Sequence, residues 1–350
     1  MVRERAGLSA STARAAITAL AAMLVLALAL AFSTTAVSCG GDSPAADEPI
    51  GLPDREEPDG ASSDAGDGGL DAALADSRAP ACDLTKPFAT PLRLTELDEA
   101  TPRSTPRLSA DELTLYFTTR GDAGTTGADL GVVTRTSKTQ PFGNEKLLDQ
   151  SGVANDNDPS VSSDHLELFF HSGRNGTADI FTSTRTSTSV PFGDAGILGP
   201  VVNGTMTNEN QPYYRAAGGE LWFISDRPGG AGLYDIYVST KSNGVFALPS
   251  RVVELSTPSE DWQPHPSEDG LTVVFASDRP NGLGKLDLWI ARRATTTVPF
   301  GMPTAMTELN SAFTEQAGWL SADGCRIWFS SGRNTNDLGS SLFFAERPKL

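Results

Sequence analysis

The sequence predicts an all-β fold: a five-bladed β-propeller over residues 82–350, closed by an N-terminal strand that completes the last blade. Pro-Phe-Gly-like triplets recur in steps of 54, 50, 54 and 54 residues, and paired large residues within strand-like runs recur in steps of 53, 53, 52 and 54. Each period holds four strand-like runs separated by turn residues, with no sustained helical periodicity. Four strands in a period near 50 residues are typical of a propeller blade.

Three markers define the five copies. The triplets begin at Pro87, Pro141, Pro191, Val245 and Pro299. The large pairs begin at Tyr116, Phe169, Trp222, Val274 and Trp328. An Asp-aliphatic pair begins the third strand-like run at Asp129, Asp179, Asp235 and Asp287, with Ser341 in the last copy. Because the markers agree in number and order, we expect five blades.

The first and last copies indicate how the ring closes. A further 54 residues beyond Pro299 would place the next triplet near position 353, past Leu350. The last copy therefore lacks its fourth strand, while the segment Lys86–Glu99 reads as a fourth strand without the preceding three. Donating this segment to the last blade closes the ring and protects an otherwise unpaired sheet edge.

The first 38 residues have the pattern of an export signal. Three arginines against one acid precede the apolar run Ala15–Phe32, and small residues follow. A single membrane-spanning helix is the alternative, since the run is about 18 residues long. The stretch Ala36-Val-Ser-Cys39 resembles the lipobox of bacterial lipoproteins, although Ala36 stands where leucine is usual. The resemblance implies acylation at Cys39 and a lipid anchor, and Gly40 favours the outer membrane.

Residues 39–81 predict a disordered acidic tether after the lipidated cysteine. Residues 40–81 hold eleven acids, two bases and few large apolar side chains, which is too little to fold. They carry nine of the seventeen net negative charges. This acidity argues against nucleic acid as a partner.

Two cysteines remain, and the predicted closure brings them together. Cys325 begins a second strand, and Cys82 lies five residues before the donated fourth strand. The turns at these positions share one face of an up-and-down blade, and both belong to blade five. We therefore expect a Cys82–Cys325 disulfide, which an exported chain tolerates.

The repeats resemble the TolB-like, or WD40-like, β-propeller repeats of bacterial envelope proteins. Two stretches carry the resemblance best, QPHPSEDGLTVVFASDRPNGLGKLDLWIAR and DPSVSSDHLELFFHSGRNGTADIFTST. The likeness covers Pro87 to Leu350, although the first copy departs from the Ser-Asp-Arg form and the last lacks the third-strand Asp. It implies the propeller fold and an envelope protein, while relatives include both binding propellers and enzymes.

The candidate site is the ring of residues that begin the innermost strands. These strands converge on one axis, so their polar side chains are expected to surround a channel mouth. The ring residues are Thr105, Asp158, Gln211, Gln263 and Gln316, with Tyr213 and His265 from the next positions. Amides, carboxylates and aromatics suit a sugar, a peptide terminus or Ca²⁺. The alternative is a water-filled channel whose polar lining only satisfies hydrogen bonds.

Other recurring residues favour structural roles. The arginines after the second strands and the aspartates before the third recur once per blade, so we expect them to pair or to satisfy turn backbone. The histidines His165, His171 and His265 fall at three different strand positions, which argues against a metal site. We therefore expect a non-catalytic envelope lipoprotein that binds a glycan or a protein partner. The alternative is a glycan-active enzyme, a hydrolase or lyase, that uses inner carboxylates around Asp158.

Overall fold

A computed structural model describes residues 81–97, 101–120, 127–151 and 154–350. The export signal, Cys39 and the tether up to residue 80 lie outside these residues. Within the described ranges, no helical segment combines the length and hydropathy of a membrane span. Two 3-10 turns, Thr95–Leu97 and Ala216–Gly218, are the helical elements of this part of the chain.

The strands form five antiparallel sheets, which confirms the predicted five-bladed propeller. Strand β1 (Leu92–Arg93) comes first in the chain and lies in the fifth blade. Blade 1 contains β2 (Arg103–Leu108), β3 (Thr114–Arg120), β4 (Ala128–Thr134) and β5 (Gly143–Leu147). Blade 2 contains β6 (Asp156–Val161), β7 (Glu167–Ser172), β8 (Asp179–Thr184) and β9 (Gly196–Ile197).

The remaining blades repeat this order. Blade 3 contains β10 (Glu209–Arg215), β11 (Glu220–Ser225), β12 (Asp235–Ser242), β13 (Val245–Phe246) and β14 (Ser250–Arg251). Blade 4 contains β15 (Asp261–Pro266), β16 (Thr272–Ser277), β17 (Asp287–Arg292) and β18 (Thr304–Ala305). Blade 5 contains β19 (Glu315–Leu320), β20 (Arg326–Ser331) and β21 (Ser341–Glu346), with β1 at its outer edge.

The core consists of five apolar clusters, one between each pair of neighbouring blades. The large pairs that marked the repeats lie in these clusters, and Phe117, Phe170, Phe223, Phe275 and Phe329 are fully buried. Each blade therefore covers one face of the next, and no blade buries its apolar surface alone.

The N-terminal segment completes the last blade as predicted. Leu92 and Arg93 pair with Phe344 and Phe343 on β21. The strand is shorter than the fourteen-residue segment from which it was predicted, because only these two residues keep ladder geometry. A disulfide joins Cys82 to Cys325, the same pair that the sequence predicts, with 5.7 Å between the Cα atoms.

Candidate functional site

Each innermost strand carries a β-bulge at the residues expected to surround the axis. In blades 1 to 4 the bulge is an X-Pro pair, and the residue before proline has a left-handed φ of 51–55°. Proline suits a bulge because it has no N–H to contribute to a ladder. Left-handed backbone is uncommon for residues other than glycine and often occurs at functional sites. The four residues are Thr105, Asp158, Gln211 and Gln263.

The fifth ring position is Ala317, so the placement of Gln316 in the ring was wrong by one residue. The bulge of β19 lies between Ala317 and Trp319. Gln316 instead pairs with Ser330 on the neighbouring strand, and its Oε1 accepts a hydrogen bond from the Ser330 hydroxyl at 3.2 Å. The X-Pro pairs were the signal that could have corrected this, because Ala317-Gly318 follows them at the 54-residue step of the strand marker.

Hydrogen bonds link the ring residues from one blade to the next. The Thr105 hydroxyl lies 2.9 Å from the hydroxyl of Thr118. Thr118 Oγ1 also accepts the Asp158 backbone N–H at 2.9 Å. Blade 1 is thereby joined to blade 2 at the axis through a second-strand residue that the sequence analysis did not single out.

The ring continues through His171, a second residue that the sequence analysis did not place at the axis. Its Nδ1 lies 3.0 Å from Asp158 Oδ2 and 3.4 Å from the backbone nitrogen of Gln211. Because the carboxylate contact is the shorter one, we assign the proton to Nδ1, which donates to Asp158. Thr118 and His171 both pair with the residue just before the bulge, and this register would have identified them.

Gln263 ends the chain of hydrogen bonds. Its backbone N–H donates to Oε1 of Gln211 at 2.8 Å. Its own side chain is only 1% exposed, and both Oε1 and Nε2 lack a protein partner. Blade 5 offers only the methyl group of Ala317 at the equivalent place. A buried amide with both polar atoms unpaired is unusual in a folded protein and calls for a physical reason.

A plug of side chains closes the axis next to the ring. Arg107 is 2% exposed, its Nη1 donates to the Gly318 carbonyl, and its guanidinium lies 5.5 Å from the centre of the Tyr213 ring. The Gly318 position tolerates only glycine, since a Cβ would lie 2.2 Å from the Trp328 carbonyl oxygen. Burial lowers the pKa of Arg107, and the charge of Asp158 partly offsets this effect.

His265 lies in the same plug and is neutral. The Tyr213 and His265 ring centres are 4.2 Å apart. His265 Nε2 accepts the Leu320 N–H at 3.0 Å, so the proton of the neutral ring is on Nδ1. Burial, followed by the charge of Arg107, holds the pKa of His265 well below its usual value. Burial likewise raises the pKa of Tyr213.

These contacts correct the expectation of a channel mouth lined by exposed side chains. Thr105, Asp158, Gln211 and Gln263 are all at most 7% exposed. The side chain of His171 is 14% exposed and gives the ring its contact with solvent. The reason is the left-handed bulge, which brings the four ring side chains into mutual contact around the axis.

The acids that begin the inner strands do not face the axis as a group, contrary to expectation. Each is fully buried and paired with the arginine that follows the second strand of its own blade. The pairs are Arg174–Asp156, Arg227–Glu209, Arg279–Asp261 and Arg333–Glu315, at 2.6, 3.1, 2.5 and 3.2 Å. These carboxylates are therefore occupied by charge-assisted hydrogen bonds that fix the turns between blades.

The aspartates of the third strands have a different structural role. Asp235 Oδ2 accepts the Ala231 N–H at 2.7 Å, and Asp287 Oδ2 accepts the Leu283 N–H at 2.7 Å. They satisfy turn backbone, which is one of the two roles expected, rather than pairing with the arginines. Within the described ranges, no three His, Cys, Asp or Glu side chains are grouped as metal ligands would be.

Comparisons with known proteins find the propeller architecture only. No family model and no curated protein matches the sequence. TolB from Acinetobacter baumannii is 18% identical over 71% of this chain and 55% of its own, with a TM-score of 0.42. A putative TolB from Agrobacterium tumefaciens is 15% identical over 75% of this chain and 99% of its own, with a TM-score of 0.37.

Glycoside hydrolases are also among the similar structures. Zg3597, a family 117 glycoside hydrolase from Zobellia galactanivorans, is 14% identical over 76% of this chain and 91% of its own, with a TM-score of 0.49. At these identities the likenesses extend to the fold and not to a ligand or a reaction. The chemistry must therefore be argued from the residues of this chain.

Proposed function

We propose that the protein is a non-catalytic binding module of the bacterial cell envelope, exported and lipid-anchored through Cys39. Its axial ring, formed by Thr105, Asp158, Gln211 and Gln263 with Thr118 and His171, receives a polar group of a glycan or a protein partner. The tether of residues 39–81 holds the propeller away from the membrane.

The side-chain amide of Gln263 carries this proposal. An unpaired buried donor and acceptor on one side chain cost about 1–3 kcal/mol each. A ligand group that both donates and accepts, such as a hydroxyl or a peptide group, recovers this free energy on binding. The hydrogen bond from the Gln263 backbone to Gln211 holds the amide in place before the ligand arrives.

The arrangement of acids favours binding over glycoside hydrolysis. Hydrolysis requires two carboxyl groups about 5–10 Å apart on either side of the scissile bond. Among the described residues of the axial ring, Asp158 is the one carboxylate, and it contacts His171. The nearest acids along the inner strands, Asp156 and Glu209, are fully buried and paired with arginines.

The disulfide supports export. A bond between Cys82 and Cys325 forms and persists in an oxidising compartment, outside the cytosol. Mass spectrometry of the protein isolated from membranes tests the anchor. An acylated N-terminal Cys39 is expected, and an unmodified or uncleaved N-terminus contradicts it.

A glycan and peptide array, with analysis of the released products, tests the binding function. Any ligand found is then titrated against Gln263→Met, which removes the amide and keeps the side-chain volume. Binding is expected to weaken at least tenfold, the equivalent of about 1.4 kcal/mol. Gln316→Met is the matched control, because Gln316 lies one position outside the ring. Equal affinity of both variants contradicts the axial site.

A further inference from the structure

A second cleft lies away from the axis, between blades 5 and 1. It has a volume of 540 Å³, within the range of small-molecule sites. One wall comes from β20 and β21 of blade 5, with Arg326, Trp328 and Phe344. The opposite wall comes from blade 1, with Glu112 and Arg135 as its buried members and Lys138 at its edge.

Two unpartnered hydrogen-bond donors line the wall of blade 5. The indole Nε1–H of Trp328 lacks a partner although the residue is only 3% exposed. The Nε–H of Arg326 is also buried and unpartnered. Residues 326 and 328 lie on the same face of β20, because side chains two apart in a strand point to the same side. Two adjacent buried donors call for an acceptor from outside the protein.

The equivalent position in blade 3 shows what satisfies such an indole. Trp222 on β11 corresponds to Trp328, and its Nε1–H donates to Glu220 Oε2 at 2.9 Å. Arg326 occupies the place of Glu220 in blade 5, and a guanidinium accepts no hydrogen bond. The repeat therefore supplies an acceptor in blade 3 and replaces it by a further donor in blade 5.

The charge inside the cleft is positive. The buried carboxylate of Glu112 lies 2.6 Å from Arg326 Nη2, 3.0 Å from Lys138 Nζ and 3.9 Å from Arg135 Nη2. One acid thus faces three cations. The other acids of the cleft, Glu96 and Glu346, are exposed at its rim, where water and salt screen their charge.

The geometry points to a binding site for a small organic carboxylate in the cleft between blades 5 and 1. Its oxygens accept from Trp328 Nε1 and Arg326 Nε, and the surplus positive charge of Arg135, Lys138 and Arg326 balances its negative charge. Its apolar part lies against the half-buried ring of Phe344, which stacks on Trp328 with 5.3 Å between the ring centres. This site is independent of the axial ring.

Titration with benzoate, followed by the indole N–H signals in NMR spectra of the full soluble chain, tests the site. The protein has five tryptophans, and Trp328→Phe assigns the relevant signal. Benzoate is expected to shift the Trp328 signal saturably and leave the other four unchanged, whereas benzyl alcohol, its neutral counterpart, leaves all five unchanged. An unmoved Trp328 signal at saturating millimolar benzoate overturns the proposal, as does an equal response to benzyl alcohol.

Charge variants separate recognition from a passive effect of salt. Arg326→Glu introduces the acceptor that blade 3 has and reverses one charge, so benzoate affinity is expected to fall at least about tenfold. Lys138→Gln changes a half-exposed side chain without disturbing the fold, and we expect a weakening of about threefold. Trp222→Phe, in the equivalent cleft of blade 3, is the control and keeps full affinity. Unchanged affinity in both charge variants contradicts the site.

Discussion

The polar side chains at the axis are held by contacts that run between blades. Arg107 of blade 1 donates to the Gly318 carbonyl of blade 5, and His265 of blade 4 accepts from Leu320 of blade 5. Asp158 and His171 belong to blade 2, and they meet the ring residues of blades 1 and 3. These residues therefore contribute to the closure of the ring as well as to the candidate site.

The buried neutral His265 makes stability depend on pH. Its folded pKa lies well below the value of about 6.5 expected in the unfolded chain. Below pH 6.5 the unfolded state binds a proton that the folded state does not, so the free energy of unfolding falls as pH falls. The slope approaches about 1.4 kcal/mol per pH unit.

Urea unfolding at pH 7.5 and pH 5.0 measures this contribution. The variant His265→Gln is expected to lose less stability between the two pH values than the unsubstituted protein. His165→Gln is the comparison, because burial lowers the pKa of His165 as well, but His165 is more exposed. Parallel pH profiles for His265→Gln and the unsubstituted protein contradict the neutral buried histidine.

Gln263→Met tests the unpaired amide through stability as well as binding. Removing a buried donor and acceptor that lack partners is expected to raise the free energy of unfolding by about 1–2 kcal/mol. The backbone hydrogen bond to Gln211 is unaffected by the change. Urea unfolding without ligand provides the measurement, and a clear loss of stability would mean that the amide is satisfied in the folded protein.

At the scale of the strands, the arginine–acid pairs tie the end of each second strand to the start of the inner strand in the same blade. Arg279 also donates to the Leu255 carbonyl at 2.8 Å, so it joins the turn of one blade to the loop entering it. Such a pair matters most when it is broken on one side only, because an isolated buried charge remains.

Arg279→Met is therefore expected to lower the free energy of unfolding by about 3–5 kcal/mol, since Asp261 stays buried and loses its cation. The double variant Arg279→Met with Asp261→Asn is expected to recover part of this loss. Urea unfolding of both variants measures the difference. A single variant that is as stable as the double variant would show that Asp261 gains solvent or another partner.

The strand count and the closure could be predicted from the sequence, because repeat spacing and turn residues are local signals. The ring was predicted at Thr105, Asp158, Gln211 and Gln263 for the same reason. The fifth member was misplaced by one residue, since Gln316 matches the others in type while Ala317 matches them in backbone position. Burial of the ring could not be predicted, because it depends on left-handed bulges that only tertiary contacts reveal.

For the whole molecule, the fifth blade is the closure of the ring. Its outer strand is the two-residue β1, and Cys82 forms a further bridge with Lys349 besides the disulfide. The disulfide spans 243 residues of sequence and so removes much conformational freedom from the unfolded chain.

Cys82→Ser is expected to lower the free energy of unfolding by about 2–4 kcal/mol. Cys325→Ser and the double variant are expected to give the same loss, because each removes the same bond. Thermal unfolding under non-reducing conditions compares the three. A double variant that is clearly less stable than either single one would mean that the cysteines also stabilise the fold separately.

The central claim is that the axial ring binds and does not catalyse. Product analysis of any array ligand, with the unsubstituted protein and Asp158→Asn side by side, tests it most directly. The account predicts no turnover by either protein, and binding that is weakened but retained in Asp158→Asn. Turnover by the unsubstituted protein that disappears in Asp158→Asn would contradict it.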